Sequence, residues 1–450
     1  MEQRLFGTNG VRGVINQDMN VQLAMDLGKA IGTFMGGRVA IGNDPRTSAD
    51  MIKSAVSCGL MAAGAEVIDI GMVPTPVVQF YVKENALSGG VMITASHNPP
   101  EFNGIKCVDS DGTEMPRHKE EEIERIYFGK KFSSQDWRSV GTLHRATGAA
   151  DPYLRSVMSL VDADAIRAAG LTAVLDCANG AGSVTAPRLL DDLNVRAITL
   201  NSNPQGTFPG HPSEPVEAHL QDLMSLVKAS GADLGIAHDG DADRTIFIDD
   251  KGRYLYGDKS LAIVAEHMVR ENGGGTVVTP VSSSMAVEDV VKRAGGEVVY
   301  TRVGAPVVAR KMIETGAVFG GEENGGLIFP RHQYCRDGAM TVAKLLEIIA
   351  SEGPLSDLAD GIPQYCQDKR KMACPEARKE SVLSGLVEHY RGERVDTTDG
   401  VKIWFEGGWT LVRPSGTEPL FRIYTEARSE SDAEKRSCDC QAVLESLLED

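Results

Sequence analysis

Four loops in this chain carry residue types suited to chemistry. The first is TASHNPPEFNGIK (94–106), in which Ser96 stands where the apolar run GGVMI ends. In parallel α/β sheets, ligands gather at the carboxyl ends of strands. Pro99 and Pro100 keep a helix from starting at once, so the loop is held open. A hydrolase elbow needs glycine where Thr94 and Asn98 stand. Ser96 therefore reads as a nucleophile of another kind, or the loop is a plain Asn/Pro turn. The second loop, DGDADR (239–244), sets Asp239, Asp241 and Asp243 at every other position. Carboxylates so spaced repel unless a cation joins them, and oxygen ligands suit hard Mg²⁺ or Ca²⁺. An EF-hand is excluded, because its sixth and twelfth positions are Arg244 and Asp250 here. A solvated acidic turn stays open. Arg244, directly after the trio, suits a phosphate that bridges guanidinium and cation.

The third loop, RPSGTEP (413–419), combines the fork of Arg413 with hydroxyls and backbone N–H groups of Ser415, Gly416 and Thr417. That is the make-up of an anion nest, with a structural turn as the alternative. The fourth, GGEENGG (320–326), offers Glu322, Glu323 and Asn324 as paired acceptors and an amide for sugar hydroxyls. No dinucleotide fingerprint and no P-loop occurs. A hydroxyl carrier, a divalent cation, a sugar reader and a distant phosphate clamp together describe phosphoryl transfer on a phosphorylated sugar.

These loops need rigid elements behind them. Short β-branched runs at 38–44, 65–71, 89–98, 172–182, 195–201, 233–244, 275–284 and 297–304 alternate with helix-like stretches such as 49–63, 216–228 and 259–272. Such alternation implies crossover connections and largely parallel sheets, the α/β class. The pattern lapses at 130–152, again near 249–257, and near 361–374 with its charged QDKRK run. Beyond that, 395–427 reads as adjacent strands with a Gly407-Gly408 hairpin turn, followed by an amphipathic helix. The expected division is three α/β units (1–147, 148–250, 251–364) and a smaller α+β unit (365–450).

Composition narrows the partners. With 46 Lys and Arg against 63 Asp and Glu, the net charge of −17 repels nucleic acid and anionic membrane. The longest apolar stretch, 72–82, carries two prolines and falls far short of the ~20 residues of a spanning helix. The start lacks the apolar core of a signal peptide, and the eight cysteines form no zinc pattern. A cytoplasmic protein with reduced thiols is expected, as a monomer or homodimer.

The motifs GTNGVRG (7–13), TASHNPPEFNGIK, DGDADR, GGEENGG and RPSGTEP, in this order, resemble the α-D-phosphohexomutase family, with archaeal members nearest in look. The resemblance runs from residue 7 to about 427. It implies three α/β domains and one smaller domain around a central cleft. It implies that Ser96 is a phosphoserine, that one Mg²⁺ is held by Asp239, Asp241, Asp243 and the Ser96 phosphate, and that a hexose or hexosamine 1,6-bisphosphate is the intermediate. By the same resemblance, Arg12 and Arg244 contact the moving phosphoryl. Lys106 is the acid/base, supported by His97. Gly304, Glu322, Asn324 and Gly325 bind the sugar, and Arg413, Ser415, Gly416, Thr417 and Arg422 grip the idle phosphate. The implied reaction interconverts hexosamine or hexose 6-phosphate and 1-phosphate. Glucosamine phosphate is the first choice of substrate, and glucose and mannose phosphates are the alternative. A non-catalytic sugar-phosphate binder is the remote one.

Two positions depart from the family pattern. Many relatives end the sugar loop in Ser-Gly-His, where this chain has Asn324-Gly325-Gly326. Ala305 follows Gly304 where relatives often have His or Asp. Gly326 is expected to leave room, and an ammonium on carbon 2 is expected to be drawn to Glu322 and Glu323 together.

Overall fold

The computed structural model describes residues 4–7, 9–415 and 419–449. The β-branched runs condense into four sheets. In spatial order the first is Val11–Val14, Phe102–Val108, Gly89–Ile93, Arg38–Asn43, Glu66–Met72 and Leu143–Arg145. The second is Tyr254–Leu255, Thr245–Asp249, Leu234–His238, Thr172–Asp176 and Arg196–Leu200. The third is Gly296–Thr301, Gly275–Pro280, Phe319–Glu322, Gly326–Phe329 and Gln333–Arg336. The fourth is Cys366–Ala373, Leu420–Ala427, Gly408–Pro414, Val401–Phe405 and Arg394–Asp396, antiparallel throughout.

The first three sheets share one plan. A parallel centre, built through helical crossovers, turns back at one side into antiparallel strands. That reversal falls between Gly89–Ile93 and Phe102–Val108, between Leu234–His238 and Thr245–Asp249, and between Phe319–Glu322 and Gly326–Phe329. The three turns so made carry Ser96, the Asp trio and Glu322 to Asn324. Each chemical loop therefore hangs from two paired strands, a firmer mount than a free crossover loop.

Packing makes one body of the first three units. A single apolar cluster runs from Val78 and Phe80 through Leu175 and Leu234 to Val277 and Leu346. The helix Gly338–Glu352, buried over most of its length, is its spine. Arg310 on the helix Ala305–Thr315 reaches back to Asp109, Asp111 and Thr113, tying the third unit to the first. The last unit has its own core, in which Val412, Phe421 and Ile423 meet the helix Glu430–Glu449 through Cys440 and Leu444.

Lys402 joins that unit to the third. Its ammonium donates to the Val281 carbonyl (2.6 Å) and lies 4.1 Å from the Trp409 ring centroid, 4.2 Å from Trp404 and 5.0 Å from Tyr300. Lys402→Ala removes the cation from three rings and leaves a buried carbonyl unpaired. A loss of about 2–4 kcal/mol is expected. It should appear in calorimetry as a lower thermal midpoint, and an unchanged midpoint would show that the box holds nothing.

The charged run at the expected third boundary, 361–374, opens the last unit: Cys366–Ala373 is an edge strand paired along its length with Leu420–Ala427. Alternating charge on an edge discourages further strand pairing, so the run is polar because it is an edge. The second unit extends past 250, because Tyr254–Leu255 folds back onto Thr245–Asp249 through a turn at Gly252 (φ +77°). Among the described residues the eight cysteines are free, and no helix is long and apolar enough to cross a membrane.

Candidate active site

Ser96 is fully buried and adopts φ +52°, a left-handed backbone that non-glycine residues avoid. Neighbouring groups enforce it. The Ser96 N–H donates to Thr94 Oγ1 (2.8 Å), whose own hydroxyl donates to Asp44 Oδ2 (2.7 Å). Arg46, itself buried and paired with Asp44, donates to the carbonyls of Ser96 (2.8 Å), Asn98 (2.6 Å), Pro99 (2.6 Å) and Phe102 (2.9 Å). One guanidinium thus fastens the whole loop. Strain held in this way is a mark of functional loops.

The strained turn aims Ser96 Oγ across the domain boundary, where it donates to Asp239 Oδ2 (2.8 Å). Carboxylate oxygens of Asp239, Asp241 and Asp243 lie within 4.8 Å of one another, all buried. Asp241 Oδ2 is taken by Lys106 Nζ (2.7 Å) and Thr75 Oγ1 (2.5 Å). Asp243 Oδ2 is taken by Arg336 Nη2 (2.7 Å), with Lys106 at 3.4 Å. Asp241 Oδ1 and Asp243 Oδ1 are buried with no hydrogen-bond partner among the described residues. Two orphaned anionic oxygens beside a serine hydroxyl are the donor set of a hard cation. Burial, then repulsion by Asp241 and Asp243, raises Asp239 well above the carboxylate range. Burial would raise Asp241 too, but the Lys106 ammonium and the hydroxyl donors outweigh it and hold that carboxyl below its usual range.

Next to this cluster lies a cavity of about 430 Å³, walled by Arg12, His97, Arg244, Gly304, Glu322, Asn324 and Arg336 among others. Arg12 Nη1 donates to Asn98 Oδ1 (2.7 Å) and to the Ala95 carbonyl (3.2 Å), fixing the first loop against the serine turn. His97 Nδ1 stands 3.4 Å from Ser96 Oγ. Burial, then Arg244 and Arg12, pushes the imidazole down to about 3, so it serves as a neutral ring. The Gly304 N–H donates to Glu322 Oε1 (3.1 Å), and Arg336 Nη1 donates to Glu322 Oε2 (3.3 Å). Burial raises Glu322 above its ordinary value, with Arg336 opposing. The Gly325 carbonyl accepts the Thr245 N–H (3.0 Å), which ties the Glu322 loop to the strand that follows the Asp trio.

The cleft continues into a second cavity of about 670 Å³, which shares Gly7, Val303, Gly304 and Pro306 with the first. Its wall is basic, with Arg4, Arg117, Arg302, Arg310, Lys311 and Arg413. An acidic chain thus keeps a positive cleft. Arg413 Nε donates to Asp399 Oδ2 (2.7 Å), which also accepts the Val303 N–H (3.0 Å), so the Arg413 loop of the last unit meets the third. Arg422 faces Arg413 in strand register, and Ser415 is buried, its N–H donating to the Leu420 carbonyl (2.9 Å). Gly416 and Thr417 lie outside the described residues.

Lys106 stands at the Asp trio beside the cavity, its ammonium held by Asp241 and Asp243. Two expectations need correction. Glu323 does not stand beside Glu322. It accepts from Ser282 Oγ (2.9 Å) and lines a separate small cavity with Asp258 and Trp409. Nor does Gly326 leave room: a Cβ there would lie 2.2 Å from Arg336 Cδ. Gly326→His is therefore expected to evict Arg336 from Asp243 and Glu322, at about 2–4 kcal/mol of stability and more than a tenfold loss of turnover. A variant as stable and active as the parent would show that Arg336 repacks freely.

Family models meet this architecture unit by unit. Those for phosphoglucomutase/phosphomannomutase match in all four parts: alpha/beta/alpha domain I at residues 3–134, domain II at 151–252, domain III at 256–365 and the C-terminal domain at 367–439. The chain belongs to this family, the α-D-phosphohexomutases, and is an isomerase. A Thermococcus kodakarensis protein named phosphoglucomutase/phosphomannomutase is 44% identical over 439 residues, 96% of each chain. A probable phosphoglucosamine mutase of Methanopyrus kandleri is 43% identical over 96% of this chain and 95% of its own length. The crystal structure of a phosphoglucomutase/phosphomannomutase family protein from Burkholderia thailandensis superposes with a TM-score of 0.88 at 28% identity, covering 98% of this chain and 97% of that one.

Proposed function

We propose that the protein interconverts the 6-phosphate and 1-phosphate of a hexosamine or hexose through phospho-Ser96. The carrying observation is the Ser96 hydroxyl, held in a strained turn 2.8 Å from Asp239 beside two orphaned carboxylate oxygens. Asp239, Asp241, Asp243 and the phosphate on Ser96 would hold Mg²⁺, which supplies charge neutralisation at the phosphoryl group.

The chain's own groups do the rest. Ser96 Oγ releases its phosphoryl to the free sugar hydroxyl, whose proton is taken up within the site and delivered to the departing Ser96 Oγ, and a 1,6-bisphosphate results. The bisphosphate turns end for end, and its other phosphoryl returns to Ser96 Oγ. Arg12 and Arg244, both in the cavity wall, orient the phosphoryl. Lys106, beside Asp241, takes part in the proton transfer, with neutral His97 supporting it. Glu322, Asn324, Gly304 and Gly325 seat the sugar, with Glu322 and Asn324 reading the hydroxyls on carbons 3 and 4. Arg413, Ser415, Gly416, Thr417 and Arg422 grip the phosphate at rest. Because the bisphosphate presents either end to Ser96, this one clamp must accept either phosphate. Exclusion of water by the last unit protects the phosphoserine from hydrolysis.

Relatives named as probable phosphoglucosamine mutases at 40–43% identity favour glucosamine phosphate. Glucose and mannose phosphates are the second reading, favoured by the 44% identical relative and by the Arg336 contact to Glu322. The test is intact mass. A species ~80 Da heavier, absent from Ser96→Ala and discharged by hexose 6-phosphate, supports the phosphoenzyme. Net release of inorganic phosphate without isomerisation would make the protein a phosphatase.

A further inference from the structure

Glu322 is a carboxylate of the sugar-cavity wall, and neither of its oxygens is idle. Oε1 is held by the Gly304 N–H and Oε2 by the Arg336 guanidinium. The same guanidinium bonds Asp243, and its nearest distance to Glu114 is 3.6 Å. Burial works against a charge on Arg336, but Asp243, Glu114 and Glu322 more than offset it and keep the group protonated.

The side chain reaches this place from the end of the strand Gln333–Arg336, crossing the space above Gly326. Any residue with a Cβ at 326 would block it. Two neighbours hold the strand end. Asp337 accepts from Tyr153 Oη (2.5 Å) and Gln333 Nε2 (2.7 Å) and caps the helix Gly338–Glu352 through the Met340 N–H (3.0 Å). Arg336 is thus a fixed cation in a wall that already holds Arg12 and Arg244.

We propose that Arg336 determines sugar preference: by occupying Glu322 it cancels the pull of that carboxylate on a cationic carbon-2 substituent and admits sugars with a neutral hydroxyl there. This rests on the phosphohexomutase reading above. A bare Glu322 would attract the ammonium of a hexosamine phosphate in a partly desolvated cavity. The paired Glu322 still accepts from hydroxyls but presents little net charge, and unlike charges in such walls set selectivity more than affinity.

The test compares kcat/KM for glucosamine 6-phosphate and glucose 6-phosphate, measured on one preparation at one Mg²⁺ concentration. The parent is expected to use the two within about tenfold of each other. Arg336→Gln is expected to raise the glucosamine-to-glucose ratio about tenfold, whatever its effect on absolute rate. Arg336→Lys, which keeps the charge, should stay within about threefold of the parent. The ratio cancels damage to the metal loop, since both sugars share it. Calorimetric dissociation constants for the same two sugar phosphates supply the ratio without turnover. A ratio unchanged in Arg336→Gln, or moved equally by Arg336→Lys, overturns the proposal. Failure of the parent to turn over either sugar overturns the functional reading and this inference with it.

Discussion

Ser96→Ala is expected to lower mutase turnover by roughly four orders of magnitude or more, while the thermal midpoint moves by only a few degrees. The hydroxyl is the proposed phosphoryl carrier, and among the described residues no other hydroxyl donates to Asp239. Among the described residues, Thr75 Oγ1 comes nearest in kind, but it is committed to Asp241 Oδ2 on the side facing Lys106. The loop's shape comes instead from Arg46 and Thr94, which grip backbone atoms that alanine retains. Alanine tolerates φ +52° about as poorly as serine does, so the substitution adds little strain. The measurement is a coupled assay with added 1,6-bisphosphate, alongside calorimetry. Retention of more than a few per cent of activity would end the carrier role, and a collapsed midpoint would mean that the hydroxyl is structural.

The candidate site loops were legible because each is contiguous: Ser96, the Asp trio and Glu322 to Asn324 sit in short runs between strand-like segments. Strand positions followed from the β-branched runs, and the Gly407-Gly408 turn from its own signal. What escaped depends on side-chain direction and register. Glu322 and Glu323 are neighbours at a strand end, and successive residues of an extended chain point opposite ways. Period-two reasoning alone would have separated them, as the Ser282 contact of Glu323 does. Arg336 carries no local signal; its reach to Asp243 needs the third sheet to lie against the second. Arg46 is likewise silent in sequence, since its four carbonyl partners lie some fifty residues on. The charged strand Cys366–Ala373 gave no strand signal because an edge strand need show no apolar stripe.

Asp241→Asn should weaken Mg²⁺ binding at least tenfold and also lower the stability of the metal-free protein by about 2–4 kcal/mol. Two effects compete in the metal-free state. Removing one of three clustered carboxylates relieves repulsion, which taken alone would stabilise. Against that, Lys106 is buried and has Asp241 at 2.7 Å as its nearest partner, with Asp243 farther at 3.4 Å. Burial and its two acidic neighbours raise Asp239, which favours its neutral form and eases the repulsion. Arg336 and Arg244 add further positive charge beside Asp243. Loss of Asp241 therefore leaves a buried ammonium short of a counter-charge, and that penalty prevails. The amide also replaces an orphaned anionic oxygen with a weaker ligand, so high Mg²⁺ should restore only part of the activity. Calorimetric titration of Mg²⁺ and thermal scans with and without the ion test both halves. Unchanged affinity would reduce the trio to a plain acidic turn, and a metal-free variant more stable than the parent would mean that repulsion, not the Lys106 pair, governs the cluster.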